Sequence, residues 1–359
     1  MLPLMLPLNW QRVRLGDILT LKHGRDYKNF KLGNIPVYGS GGYMLSINNF
    51  LHNGESVCIG RKGTIDKPIY LNGKFWVVDT LFYSYSFKKS IPKFIFYAFS
   101  IIKWSNYNEA TGVPSLTKMT ISNIEILLPP LNEQIAIANI LSDVDHYLYS
   151  LDALILKKES VKKALSFELL SQRKRLKGFN QAWQRVRLGD ICEIVKGQQI
   201  NKISLNNTDK YPVINGGIDF LGYTNKFNVS KNTIAISEGG TCGYVRFMKS
   251  DFWSGGHNYS LQKISNKVNN LCLYHILKSY EKDIMKLGVG SGLKNIQLKA
   301  LKDFEILLPP LKEQIAIANI LSALDNEIIS LKNKKRQFDN IKKALNHDLM
   351  SAKIRVLKK

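Results

Sequence analysis

Cysteine is scarce in this chain, and what there is carries no pattern. Cys58, Cys192, Cys242 and Cys272 stand alone, and no C-x-x-C pair occurs. A zinc knuckle or dithiol redox motif is therefore not spelled out. Unpatterned thiols fit a reducing compartment, so a cytoplasmic location is expected. Catalytic motifs are missing too: there is no H-E-x-x-H, no G-x-x-x-x-G-K-[ST] and no Asn/Asp-Pro-Pro-aromatic run. GVGSG at Gly288–Gly292 lacks the strand-to-helix frame of a nucleotide loop and reads as a plain loop. His23, His52, His146, His257, His275 and His347 show no ligand spacing. No catalytic residue, cofactor or metal ion is expected. No apolar run approaches a transmembrane helix in length. The start, MLPLMLPLNW, is apolar but short, with two prolines and no basic n-region, and does not read as a signal peptide. No membrane partner is expected. Acidic residues are few as well, 28 Asp+Glu against 51 Lys+Arg, a formal net charge of +23 over 359 residues. That excess points to a polyanion, most often nucleic acid.

What the chain does have is itself, twice. WQRVRLGDI at Trp10–Ile18 recurs letter for letter at Trp183–Ile191, an offset of 173. IEILLPPLNEQIAIANILS at Ile124–Ser142 recurs at Phe304–Ser322, an offset of 180, and from Glu125 and Glu305 onward differs only at Asn132 against Lys312. Between these anchors the copies have drifted. IPVYGSGGY at Ile35–Tyr43 answers YPVINGGI at Tyr211–Ile218, and VCIGRKGT at Val57–Thr64 answers IAISEGGT at Ile234–Thr241. Short β-branched and aromatic runs punctuated by Gly, Asn and Pro read as strands and turns. IPKFIFYAFSIIKW and NLCLYHILKSYEKDIMKL have helical spacing. Each middle is expected to be a compact α/β (α+β) domain.

The tails differ in kind. Apolar residues after Pro130 fall at Ile137, Ile140, Leu141, Val144, Leu148, Leu151, Leu154, Ile155, Val161, Leu165 and Leu169; a matching stripe from Ile317 through Ile328 to Ile341 and Leu349 follows Pro310. A 3.5–3.6 period held this long predicts long paired helices. The prolines sit just before each start, where they cost no helical hydrogen bond. Glu133 and Glu313 in the first turn suit the positive helix end. Basic residues and Gly178 are expected to close the first helix; from Asn132 to Lys177 it would span ~70 Å at 1.5 Å per residue. Antiparallel pairing buries both stripes and yields a dumbbell with an internal pseudo-two-fold repeat. Such a body suits a duplex read at two half-sites, as dimeric readers do at multiples of ~34–36 Å.

The two LLPPLxEQ segments, the two VRLGDI openings and the Gly-rich GRKGT and SEGGT turns resemble those of the specificity (S) subunit of type I restriction–modification systems, over essentially the whole chain. The resemblance implies target recognition domains at 1–131 and 179–311 and spacer helices at 132–178 and 312–359. It implies a DNA-binding, non-catalytic subunit that reads a bipartite site in double-stranded DNA. Its partners would be two methyltransferase subunits and, in the full complex, restriction subunits. Two other readings stay open on the residues alone: a DNA-bridging architectural protein without a methylation partner, and a coiled-coil scaffold for proteins only, which the charge disfavours.

Candidate DNA contacts lie in polar, Gly-rich loops. Arg61 and Lys62 could reach guanine edges or phosphates, with Thr64 beside them and Tyr43 and Lys67 nearby in sequence. Ser115 and Lys118 precede the first long helix, as Lys294 and Asn295 precede the second. The second middle offers Asn215, Glu238, Thr241, Tyr244, Arg246, His257, Asn258 and Tyr259. Glu238 could accept from cytosine N4 or pair with a nearby Arg. Each loop reads equally as a tight turn that packs its domain. Lys157, Lys158, Lys162, Lys163, Lys342 and Lys343 read as a solvated helix face, with DNA alongside the rod as the alternative.

Overall fold

The computed structural model describes Pro7 and residues 9–356. Most of the apolar start, Met1–Leu6 and Leu8, lies outside the described residues. The chain divides into two compact units. One comprises the residues up to Asp152 with Asn333 onward, and the other Ala153–Lys332.

In the first unit, Gln11–Arg14 pairs antiparallel with Glu125–Leu128. A single turn, Leu15–Ile18, then buries Leu15 and Ile18. A four-stranded antiparallel sheet follows in the order Thr20–His23, Leu81–Tyr85, Ser56–Gly60, Ile69–Leu71. Ser56–Gly60 is buried at every residue because both of its faces are covered and alternate side chains point to opposite faces. Val57 and Ile59 join the main core with Phe94, Ile95 and Phe99 of the helix Pro92–Ile101. Cys58 faces the other way, onto Phe75, Val77, Leu81 and Tyr83. Each fully buried Val, Ile or Phe contributes roughly 1.5–3 kcal/mol. Pro92 opens its helix at a position where the missing N–H is no loss. A second sheet runs Gly42–Ile47, Leu32–Gly39, Lys74–Val77, His52–Asn53.

The second unit repeats the plan. Gln184–Arg187 pairs with Glu305–Leu308 in the same register. Its four-stranded sheet runs Glu193–Lys196, Asn258–Gln262, Thr233–Ser237, Val245–Met248. Ile234 and Ile236 enter the main core with Leu273, Ile276 and Leu277 of the helix Asn270–Ser279, while Ala235 faces Ile214, Val229, Met248 and Phe252. Asn269 caps that helix, its Oδ1 accepting from the Cys272 N–H at 2.9 Å. The second sheet keeps three strands, Gly222–Thr224, Tyr211–Ile214 and Trp253–Ser254. The GVGSG stretch lies in a hairpin between Gly288–Val289 and Asn295–Ile296.

The two long helices are Leu131–Leu170 and Leu311–Met350, each ~60 Å at 1.5 Å per residue. Both contribute to both units. In the first unit Asp145 pairs with Lys342 and Asp152 with Lys335, so the partner number falls as the helix advances and the segments run antiparallel. Tyr147 packs on Phe338 between them, ring centroids 4.6 Å apart. In the second unit Lys158 meets Glu327 and Lys162 meets Asp325. The helix lysines are thus divided, several being held in interhelical pairs. Such pairs contribute little each, about 0.2–1 kcal/mol, and act mainly to fix register. Leu148, Leu151, Ile155 and Ile328 are buried, whereas Leu154, Val161 and Ile341 from the expected stripes are exposed. A straight helix drifts against a strict seven-residue repeat, so part of each stripe turns outward.

The first helix ends at Leu170, short of the expected stop near Gly178. Gln172 takes the left-handed conformation at φ 60°, as Ala352 does at φ 59° after the second helix. Ala352 N–H donates to Leu349 O and Lys353 N–H to Asp348 O, the paired bonds of a Schellman ending. Neither stop residue is glycine, so the composition signal was absent. Gly178, at φ 89°, serves the next turn, where Phe179 N–H reaches Leu176 O.

Candidate nucleic-acid interface

The two strand-end turns of the main sheets are built on one backbone frame. In the first unit Arg61 N–H donates to Thr80 O at 2.8 Å and Leu116 N–H donates to Arg61 O at 2.9 Å. In the second, Glu238 N–H donates to His257 O at 2.8 Å and Ile296 N–H donates to Glu238 O at 2.9 Å. Arg61 and Glu238 are therefore equivalent positions. So are the loops before the long helices: Lys62 bridges to Ser115, and Gly239 lies against Asn295, whose Oδ1 a Cβ there would meet at 2.3 Å.

The frame carries different side chains in each unit. In the first, His23, Arg61, Lys62, Ser115, Thr117 and Lys118 line a cavity of about 390 Å³. Arg61 donates from Nη1 to the Asp79 carbonyl at 3.1 Å. Partial burial, and then the cations of Lys118 and Arg61, hold His23 below the usual histidine range. This corner is cationic and donor-rich, matched to phosphate oxygens or to guanine O6 and N7. Thr64 sits behind it in the turn, its carbonyl so close to Gly60 that a Cβ there would approach within 2.0 Å. Lys67 is exposed and does not line the cavity. Tyr43 is exposed on its hairpin, with its hydroxyl 3.2 Å from Ser46 Oγ.

In the second unit, Asn215 Oδ1 accepts from His257 N–H at 3.0 Å and Thr241 N–H donates to Gly216 O at 2.8 Å. Asn215, Glu238, Thr241, His257 and Asn295 are thereby gathered at one sheet end, and Lys294 is exposed beside Asn295. Glu238 is paired, with a lysine rather than the arginine considered above: Lys196 Nζ lies 2.7 Å from its Oε1, and the Tyr259 hydroxyl donates to the same oxygen at 3.2 Å. Arg246 donates to the carbonyls of Gly217 and Ile218 and stacks over Phe220 and Tyr244, so it holds the 216–222 loop. Asn258 and Tyr259 are buried. Burial, then the neighbouring Glu238 carboxylate, pushes the Tyr259 phenol up to about 12. They support the site from beneath rather than forming its surface.

His23 and Lys196 were not among the candidates read from the sequence. A signal was present: each precedes a glycine, Gly24 and Gly197, at the same offset of 173 as the Trp-led opening. A Cβ on Gly24 would lie 2.0 Å from the Val78 carbonyl, and one on Gly197 2.2 Å from the Gly255 carbonyl.

The repeated PPLxEQ openings are explained in part by interior contacts. Glu133 accepts from Trp10 Nε1 at 3.1 Å and from Arg355 Nε and Nη2 at 2.6 and 3.0 Å. Glu313 accepts from Trp183 Nε1 at 3.0 Å and from Arg175 Nε and Nη2, both at 2.8 Å. Gln134 and Gln314, both buried, tie the long-helix starts to the starts of the helices Pro92–Ile101 and Asn270–Ser279: each donates to a proline carbonyl and accepts from Ile91 or Asn269 N–H. The outward positions match as well without such a reason. Leu131 and Ile135 are 50% and 48% exposed, and Leu311 and Ile315 are 40% and 42% exposed.

The family model described as Type I restriction modification DNA specificity domain matches the chain at residues 7–158 and again at 180–338. A Mycoplasma pneumoniae protein assigned as a type I specificity subunit is 38% identical over 165 residues, 44% of each chain. A Mycoplasma genitalium counterpart is 36% identical over 154 residues, 42% of this chain and 40% of that one. The chain thus spans less than half the length of these two relatives. The type I restriction enzyme MjaVIII specificity subunit of Methanocaldococcus jannaschii is 26% identical over 417 aligned positions, gaps included, covering 98% of this chain and 95% of that one. The crystal structure of a type I restriction–modification S subunit from M. genitalium superposes with a TM-score of 0.76 at 20% identity, over 96% of this chain and 98% of that one, a likeness of fold. Among the described residues no helix is long and apolar enough to cross a membrane.

Proposed function

This chain belongs to the type I restriction–modification DNA specificity family, and on that premise we propose that it is the subunit that selects the DNA sequence for a cytoplasmic type I complex. Residues 1–131 and 179–311 each read one half of a bipartite double-stranded site. The long helices dock two methyltransferase subunits, and restriction subunits join the full complex. The chain itself catalyses nothing; methyl transfer and cleavage belong to its partners.

One observation carries this reading. The two strand-end turns share their backbone bonds, yet carry Arg61 and Lys62 in one unit and Glu238 and Gly239 in the other, beside Lys118 and Asn295 of the neighbouring loops. A common backbone frame with different tips suits two different half-sites, because base edges are told apart by donor and acceptor pattern. The docking part is supported by the matched exposed pairs Leu131–Ile135 and Leu311–Ile315. Surface positions away from special features change at a cost usually within ~0.5 kcal/mol, so stability alone does not hold these apolar residues alike.

Long-read methylome sequencing of the host with and without this gene tests the proposal. One bipartite methylated motif should vanish with the gene and return on complementation. A methylome that does not change would overturn it.

A further inference from the structure

At the equivalent strand-end position the two units carry opposite charges, Arg61 and Glu238. The neighbouring strands show that this inversion does not leave the second unit without a cation. In the first unit, His23 lies opposite Phe82, and Ile59, two residues before Arg61, also pairs with Phe82. In the second, Lys196 lies opposite Tyr259, and Ile236, two residues before Glu238, also pairs with Tyr259. Residues directly opposite in an antiparallel sheet share a face, as do residues two apart. His23, Phe82 and Arg61 therefore correspond one for one to Lys196, Tyr259 and Glu238. The three positions change together in a chemically consistent way. Phenylalanine lies beside a group held below the usual histidine range and an arginine. Tyrosine supplies a hydroxyl to the carboxylate that meets the lysine.

Resting on the reading that the second unit contacts DNA, we propose that Lys196 is its DNA-contacting cation at this corner, and that Glu238 and Tyr259 position it. Exposure decides between Glu238 and Lys196. The Glu238 side chain is 12% exposed and that of Lys196 is 55% exposed. Glu238 Oε1 accepts from Lys196, and the Tyr259 hydroxyl shares its one proton between that oxygen at 3.2 Å and the Ile296 carbonyl at 3.0 Å. The carboxylate thus faces inward as an anchor, and the ammonium faces outward. Gly197 fixes the height of the strand end, since its backbone packs directly on the carbonyls of Ser254 and Gly255. The ligand is a hydrogen-bond acceptor of duplex DNA, either a guanine edge or a phosphate oxygen.

The test uses the full chain in its complex, a duplex carrying the host's methylated motif, and a scrambled duplex. Lys196→Met should weaken binding to the motif duplex. If the ammonium meets guanine, the loss is ~5–150-fold and the motif relaxes at one base pair. If it meets a phosphate, both duplexes weaken alike and the slope of log K against log salt falls by about 0.9. Lys196→Arg should restore most of the affinity, and Glu238→Gln should act in the same direction as Lys196→Met with a smaller loss. The proposal is overturned if Lys196→Met matches wild type in affinity, motif and salt slope. It is also overturned if Glu238→Gln alters preference at a base pair that Lys196→Met leaves untouched, since Glu238 would then read directly. A wild-type complex that fails to distinguish the two duplexes overturns both this proposal and the reading beneath it.

Discussion

Removing the Arg175 guanidinium should destabilise the second unit severely. Arg175 makes two parallel bonds, from Nε and Nη2, to the two oxygens of Glu313 at 2.8 Å each, and Trp183 Nε1 adds a third donor at 3.0 Å. The Glu313 side chain is 1% exposed. In Arg175→Met the carboxylate stays buried with one neutral donor. Breaking a buried pair by removing one partner costs about 3–5 kcal/mol, because the remaining charge is uncompensated. For a unit of this size each kcal/mol moves a thermal midpoint by roughly 2–4 °C, so a drop of roughly 6–20 °C is expected by circular dichroism or calorimetry. Adding Glu313→Gln to Arg175→Met should recover much of the loss, since the amide carbonyl still accepts from Trp183 and carries no charge. If Arg175→Met costs under 1 kcal/mol, or if the double variant is no more stable than the single, the buried charge lock is the wrong account of the motif.

Arg61→Ala should relax base preference in one half-site only, by about 1–3 kcal/mol if the guanidinium meets guanine bidentately; motif sequencing distinguishes this from uniform weakening, the mark of a phosphate contact. His275 is buried between its helix and Ser322, and burial lowers its pKa to about 4. The unfolded chain therefore takes up this proton first as pH falls. The contribution of His275 is complete above about pH 6.5 and is lost on the way down to about 4, by ~3 kcal/mol at most. Tyr97 fills the equivalent place in the first unit, with its hydroxyl on Asp145. His275→Tyr should accordingly flatten the stability slope between those two pH values; an unchanged slope in urea titrations would refute the assignment.

The parts of the fold legible in the sequence were those written in local patterns. Val57–Cys58–Ile59 and Ile234–Ala235–Ile236 declare buried strands, and Pro129-Pro130 before a long apolar period declares a helix start. Less legible were matters of long range. Glu133 and Glu313 were expected in the first turn for the helix dipole, but their main partners are Trp10, Trp183, Arg355 and Arg175, more than a hundred residues away in sequence. Tyr259 and Asn258 looked like loop readers because a polar residue near a Gly-rich turn does not reveal whether its strand is covered; they point to opposite faces of Asn258–Gln262, and both faces are buried there. Lys196 was hidden for the converse reason. It stands at a strand end marked in the sequence by nothing but the glycine that follows it, and the register across the sheet brings it to Glu238.

The central claim, that each middle segment reads its own half-site on a common scaffold, is tested most directly by transplanting one middle into the other position. Residues 192–303 are replaced by residues 19–123 in the full chain, keeping both VRLGDI openings and both PPLxEQ helices, and the methylome of a host carrying this variant is sequenced. A bipartite motif whose two half-sites share one sequence, the half-site assigned to the first unit, is the predicted result. A motif unchanged from that of the wild-type chain would contradict the account.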